Sequence, residues 1–177
     1  YGTPPVKLAF HRTLYEWIPY FKDFSVGWDQ LAPDEDRRFD REVDRFSYHC
    51  GLAPAFMPTL DIRRDDYDYP QAIALTRLWR KVAGMLLHGD YYPLTPFSRS
   101  GERWVVWQFH QPERETGLIQ AVRHAGCAEE RFTARLRGLD PAASYLVEDA
   151  EGGARQELSG AALMEEGLEL ALPARGA

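Results

Sequence analysis

The sequence predicts an α+β protein made of two units, a mostly helical one over residues 1–90 and an antiparallel β unit over residues 91–177. Aromatic side chains give the first sign of this division, because 18 of the 23 lie in residues 1–100. The charge also changes, from a net −1 over residues 1–100 to a net −5 over the remainder. Two prolines within residues 91–96 disfavour helix there and mark the predicted junction.

Apolar residues at helical spacing predict three helices in the first unit. The first begins at Pro4 and Pro5, the second covers about residues 35–49, and the third covers residues 70–87 and ends at Gly89. Short strands are expected at 24–28 and 60–62. The stripes expected to face the core are Phe10, Leu14, Trp17, Ile18 and Phe21; Phe39, Val43, Phe46 and Cys50; and Leu75, Leu78, Trp79, Val82 and Leu86.

The second unit shows the alternation that is typical of half-buried strands. Residues 104–109 form a predicted strand with a hairpin partner at 118–122, and a third strand covers 131–136. Further short strand-like runs contain Tyr145, Val147, Leu158, Leu163 and Leu168. Turn signals near residues 138–141, 151–153 and 166–167 separate these runs, so a β-sandwich or jelly-roll arrangement is predicted.

Composition excludes several classes of function. The chain has 177 residues, a formal net charge of −6 and a pI near 5.4, which argues against a nucleic-acid partner. No apolar run approaches the length of a membrane helix, and no secretory signal pattern is recognised, so a cytoplasmic location and no membrane partner are expected. The chain begins with Tyr1 and is interpreted as a piece of a longer protein.

Candidate metal and nucleophile sites fail on their spacing. The acidic run around Asp65, Asp66 and Asp68 lacks the glycine and the closing glutamate of a calcium loop, and helix capping explains it better. The five histidines form no zinc pattern, and Cys50 lies on an apolar stripe where a core role is favoured. The sequence therefore predicts no metal, no cofactor and no complete active site within this chain.

The aromatic-rich first unit suggests a sugar site, because sugars bind flat aromatic faces together with carboxylates. Trp28 followed by Asp29, at the end of a predicted strand, is the best such pair and is the predicted substrate-binding site. A core tryptophan followed by a turn aspartate is the alternative interpretation of the same two residues.

Motifs in order along the chain resemble the C-terminal end of glycoside hydrolase family 36, the α-galactosidases (melibiases). The resemblance covers about residues 45–172. It rests on Asp61-Ile62-Arg63-Arg64, Leu78-Trp79-Arg80-Lys81-Val82, the run from His88-Gly89-Asp90-Tyr91-Tyr92 to Pro96, Trp104-x-x-Trp107-Gln108-Phe109, Gln120-Ala121-Val122-Arg123, Leu136-x-Gly138-Leu139-Asp140-Pro141, and Gly160-x-x-Leu163-Met164-x-x-Gly167-Leu168. Residues 1–44 match the better-known members poorly, and the family's glycine-rich cysteine motif is missing.

The resemblance implies that residues 1–90 are the last helices and strands of a (β/α)8 barrel and that residues 91–177 are the family's antiparallel β-sandwich. It also implies a parent that cleaves terminal α-galactosides with retention through two carboxylates, both outside this chain. Implied partners are the rest of the barrel, an α-galactoside and, through the sandwich, further copies of the protein. A carbohydrate-binding module and a purely structural sandwich remain open as alternatives for the second unit.

Overall fold

The computed structural model describes residues 4–18, 22–26, 45–59, 65 and 67–177. Within those residues no helix is long and apolar enough to span a membrane. The helices are α1 (Pro4–Trp17), α2 (Arg45–Cys50), α3 (Tyr69–His88) and α4 (Gly160–Glu165). The strands are β1 (Lys22–Val26), β2 (Ala55–Thr59), β3 (Asp90–Pro93), β4 (Trp104–Gln111), β5 (Thr116–Arg123), β6 (Arg131–Ala134), β7 (Ser144–Glu148), β8 (Arg155–Ser159) and β9 (Leu168–Ala171).

Helix α3 confirms the prediction for residues 70–87 within one residue at each end. Asp68 caps it, because its side chain accepts a hydrogen bond from the backbone N–H of Gln71 at 3.0 Å. Pro70 lies in the first turn, where its missing N–H costs nothing, and Gly89 ends the helix. The buried residues Leu75, Val82 and Leu86 form its inner face, as predicted.

Helix α1 forms where it was predicted, but the apolar stripe was assigned to the wrong face. Phe10, Trp17 and Ile18 are exposed, whereas Leu8, His11 and Tyr15 are buried against the rest of the protein. Both sets have helical spacing, so periodicity alone could not say which of them packs inward. The helix is therefore apolar on two faces, and only one of them is covered by the described residues.

Strands β1 and β2 pair in parallel, with Lys22 opposite Ala55 and Val26 opposite Thr59. Helix α2 lies between them in sequence, so the connection has the order strand, helix, strand. Strand β1 overlaps the predicted strand at 24–28, and β2 ends just before the one predicted at 60–62. Residues 27–44 and 60–62 lie outside the described residues, as does most of the helix predicted at 35–49.

The central element is a three-stranded antiparallel sheet in the order β3–β4–β5. Strand β4 pairs with β5 over its full length, which confirms the predicted hairpin, and all eight of its residues are buried. Its first four residues are apolar, as expected for a strand that is covered on both faces, whereas Gln108, His110 and Gln111 are buried polar residues. The run of residues 90–93 forms strand β3 and pairs with β4, so the chain enters the sheet directly after α3.

Smaller β elements cover one face of this sheet. Strands β6 and β9 form one antiparallel pair, β7 and β8 form another, and α4 precedes β9. Leu163 was expected in a strand but lies in α4, where Ser159 caps the helix through a 3.1 Å bond to the N–H of Ala162. A short capped turn of helix was not recognised because its apolar residues mimic a strand. Gly167 has a φ of +92° in the turn that follows, which explains the glycine there.

Two hydrophobic clusters lie on opposite faces of the central sheet. One joins α1, α2 and α3 to Val105, Trp107 and Phe109 of β4, and the other joins Trp104 and Val106 to the smaller β elements. The alternation of odd and even positions along β4 assigns its side chains to these two clusters. The antiparallel sheets fit the β-sandwich that was predicted for the second unit. The division of the chain at residue 90 stays a prediction.

Candidate functional site

The predicted sugar-binding pair, Trp28 and Asp29, lies outside the described residues. Strand β1 ends at Val26, two positions earlier in the sequence, in register with the end of β2 at Thr59. Both residues therefore keep the status of a prediction. Asp68 acts as a helix cap, in agreement with the interpretation of the acidic run, and Cys50 is fully buried, in agreement with a core role.

The two tryptophans of β4 are buried, and both form hydrogen bonds inside the protein. Trp104 and Trp107 are 6% and 1% exposed and point to opposite faces of the strand, as their spacing requires. The indole N–H of Trp104 donates to the carbonyl of Glu129 at 2.8 Å. The indole N–H of Trp107 donates to the side-chain oxygen of Gln120, also at 2.8 Å. Neither ring presents a face to a soluble sugar.

A crevice of about 1050 Å³ lies beside strand β5. One wall comes from α2 and α3, including Phe46, Leu78 and Met85, and the opposite wall comes from β7 and β9, including Leu146 and Leu170. Strand β5 lies between these walls and is one edge of the central sheet. The lining is mainly apolar along the strand, so the crevice resembles a slot for a chain segment more than a polar active site.

Charged side chains meet at one end of this crevice. Arg45 and His49 of α2 both face Glu151 in the β7–β8 turn, with His49 Nε2 at 3.7 Å from a Glu151 oxygen. Lys81 of α3 lies 3.5 Å from Glu148 and also donates to the carbonyl of Ala150 at 3.3 Å. These contacts join the helices to the β7–β8 hairpin, which is separated from them by many residues in sequence.

His49 is the most unusual group in this cluster. Its side chain is buried, and its Nε2 atom makes no hydrogen bond within the described residues. Burial and, to a smaller extent, the neighbouring charge of Arg45 lower the pKa of His49 to about 4, and Asp149 opposes the shift. The imidazole is therefore neutral at pH 7. Its backbone carbonyl accepts a 3.0 Å hydrogen bond from the amide of Gln120 on β5.

The chemistry available in the described residues is limited. They contain no group of three or more histidine, cysteine or acidic side chains placed to hold a metal ion. Burial raises the pKa of the Cys127 thiol, which makes it a poor nucleophile. Three of the four acidic residues that line the crevice, Glu148, Glu151 and Glu169, are paired with basic side chains. The arrangement supports packing and recognition better than bond cleavage.

Sequence reasoning missed the residues that build the crevice. His49, Gln120 and Glu151 come from three separate elements, and nothing in their local sequence indicates that they meet. One weak signal existed: Gln120 is a polar residue within a predicted strand of apolar residues. A buried glutamine needs partners for both ends of its amide, and it finds them in Trp107 and in the backbone of His49.

Comparison with known proteins identifies the β-rich part. Residues 104–176 match the glycosyl hydrolase family 36 C-terminal domain. The resemblance of the chain to the C-terminal part of a family 36 protein is thereby confirmed. No curated protein sequence matches the chain.

Solved structures show the same fold. The galactosidase domain of the α-galactosidase–sucrose kinase AgaSK superposes with a TM-score of 0.67 at 21% identity, over 94% of this chain and 22% of that one. The α-galactosidase AgaA from Geobacillus stearothermophilus, in complex with raffinose, gives 0.65 at 18% identity, over 98% and 23%. AgaB from the same organism gives 0.58 at 22% identity, over 89% and 20%. The chain thus spans about a fifth of the length of these proteins.

Proposed function

We propose that the chain is the C-terminal portion of a retaining family 36 glycoside hydrolase that acts on terminal α-galactosides. In this proposal residues 1–90 are the last helices and strands of a (β/α)8 barrel, and both catalytic carboxylates lie outside the chain. The observation that carries it is the match of residues 104–176 to the family's C-terminal domain. The parallel β1–β2 pair supports the barrel assignment, because parallel strands joined through a helix are the repeating unit of that fold.

The exposed face of α1 supports the proposal that this helix packs against a further part of the protein. Phe10 and Trp17 are 59% and 78% exposed, and Ile18 beside them is also exposed. Three large apolar side chains on one side of a helix are typical of a surface that is buried in the complete protein. We propose that the rest of the barrel covers this face in the parent, which would act in the cytoplasm.

The β-rich part has a structural role in this proposal. Its tryptophans are buried with their N–H groups satisfied, and Phe132 stacks on Trp104 at a ring separation of 5.9 Å. Tyr145 is half-buried, and its hydroxyl accepts a hydrogen bond from the N–H of Asp140. A module that binds sugars through aromatic faces needs such rings at the surface, so this burial favours packing over sugar recognition.

Two measurements on chain 1–177 test the proposal. An aryl α-galactoside should show no steady hydrolysis, because the carboxylate pair is absent, and calorimetric titration with galacto-oligosaccharides should give no heat. Circular dichroism of the same sample serves as the control that the chain is folded. The longer parent should hydrolyse the same substrate with retention, which NMR of the first-formed sugar anomer detects. Turnover by residues 1–177 alone, or inversion by the parent, would contradict the proposal.

A further inference from the structure

We infer that the outer edge of β5, defined by the main-chain groups of Gly117, Ile119 and Ala121, takes up one extended segment from the rest of the family 36 polypeptide. This segment would lie in the crevice and add a fourth strand to the central sheet. The inference rests on the proposed function only for the source of that segment.

The hydrogen-bond pattern establishes which groups point outward. The N–H of Arg123 donates to the carbonyl of Gly176 at 2.8 Å, on the side of β5 away from β4. In an antiparallel sheet the N–H and C=O of one residue point to the same side and alternate along the strand, so Ala121, Ile119 and Gly117 point outward too. Val106 of β4, opposite Ala121, confirms this phase, because its carbonyl accepts from Leu94 on the β3 side.

These outward groups have no strand beside them. Beyond its pairing with β4, the bridge from Arg123 to Gly176 is the one pairing that β5 makes within the described residues. Residues 117–121 read Gly-Leu-Ile-Gln-Ala, without proline or charge. Natural edge strands are normally protected by proline, by charged side chains, by a bulge or by a covering element, because an open edge can pair with another strand. The missing protection indicates that something covers this edge.

The shape of the crevice favours a single extended segment as the cover. Apolar side chains stand on both sides of β5, with Leu78 and Met85 from α3 on one side and Leu146 and Leu170 on the other. A second copy of the chain carries the same walls beside its own β5, so a single extended segment fits between these walls more readily than a second sheet edge. Five residues of β5 offer about 17 Å of edge, which one strand of similar length would satisfy.

The C-terminal residues show that a strand fits in this position. Gly176 pairs antiparallel with Arg123, and Ala177 packs against the cluster that contains Val122. A segment in the same orientation would continue past Ala121 and Ile119. The source follows from the lengths of the solved relatives, because about four fifths of each lies outside the part that this chain matches.

Site-resolved hydrogen exchange tests the inference. The amides of Ile119 and Ala121 should exchange at least tenfold more slowly in the longer family 36 polypeptide than in chain 1–177. The amides of Gln120 and Val122 point towards β4 and serve as the internal control, slow in both samples. A second arm uses Ile119→Pro, which removes an outward N–H and should lower the thermal midpoint of the longer polypeptide more than that of chain 1–177.

Three results would overturn the inference. Fast exchange of Ile119 and Ala121 in both samples would mean that no strand is added. Slow exchange in chain 1–177 at all concentrations would mean that the edge is already paired within it. Protection that appears only at high concentration of chain 1–177 would identify a second copy as the occupant. Hydrolysis of a galactoside by a longer polypeptide with unprotected edge amides would leave the proposed function intact and remove this inference alone.

Discussion

The helical part and the β-rich part of the molecule differ in how many large apolar side chains they leave exposed. Residues 4–88 leave Phe10, Trp17, Ile18, Met57 and Ile73 exposed, whereas residues 90–177 expose only Phe97 and Leu146 among the large apolar residues that the structure describes. The β-rich part therefore covers most of its own large apolar side chains. A helical part that does not is typical of a piece whose neighbours lie elsewhere in the protein.

Lowering the pH should destabilise both parts, and of the changes considered it should lower the free energy of unfolding most. Burial lowers the pKa of His49, in the helical part, and of His124, in the β-rich part, to about 4 from 6.5. Because the unfolded chain binds these protons first, the contribution of the two neutral imidazoles to stability is fully present above pH 6.5. It is lost as the pH falls from 6.5 towards 4. The free energy of unfolding should fall by about 1.4 kcal/mol per pH unit for each imidazole. Urea denaturation between pH 7 and pH 4 measures it.

Single substitutions assign the acid effect to one part or the other. His49→Gln should remove the contribution of the helical part, where Arg45, Asp149 and Glu151 face the imidazole. His124→Gln should remove that of the β-rich part, where the ring packs on Phe46. His88→Gln, at an exposed position, is the matched control. A pH slope that neither buried substitution changes would show that other groups control the acid response.

Trp107→Ala tests whether the two parts share one core. The ring lies in the cluster that joins α1, α2 and α3 to the central sheet, and it contacts Tyr15 at 5.6 Å between ring centres. Removing it leaves a cavity and an unpaired Gln120 oxygen, so the free energy of unfolding should fall by about 3–5 kcal/mol. Thermal denaturation followed by circular dichroism should show one transition at a lower temperature. Two separate transitions would indicate that the helices and the sheet unfold independently.

Local sequence patterns predicted the elements well because most of them follow from short-range rules. Helix α3 has a cap at Asp68, a proline in its first turn and a glycine at its end, and each of these acts within a few residues. The β4–β5 hairpin likewise follows from two apolar runs close together in sequence. Leu163 shows the limit, because six residues of helix are too few to display a period of 3.6.

Burial and the crevice were not predictable in the same way. The direction in which α1 faces depends on contacts between Tyr15 and residues of β3 and β4, more than 70 positions away. The crevice depends on His49, Gln120 and Glu151, which only the tertiary fold brings together. The motifs that resemble family 36 identified the relationship, but they carry no information on which surfaces the isolated chain leaves open.

Trp17→Ser should have the smallest effect on folding and yet distinguish the two parts most clearly. The side chain is 78% exposed, so the free energy of unfolding of chain 1–177 should change by no more than about 0.5 kcal/mol. Self-association, measured by sedimentation velocity, should decrease because an apolar patch becomes smaller. Phe97→Ser, on the exposed surface of the β-rich part and outside the crevice, is the control, and in the longer parent only Trp17→Ser should destabilise the helical part. Equal effects of the two substitutions in the parent would show that α1 has no covering partner, since a buried tryptophan costs several kcal/mol to remove.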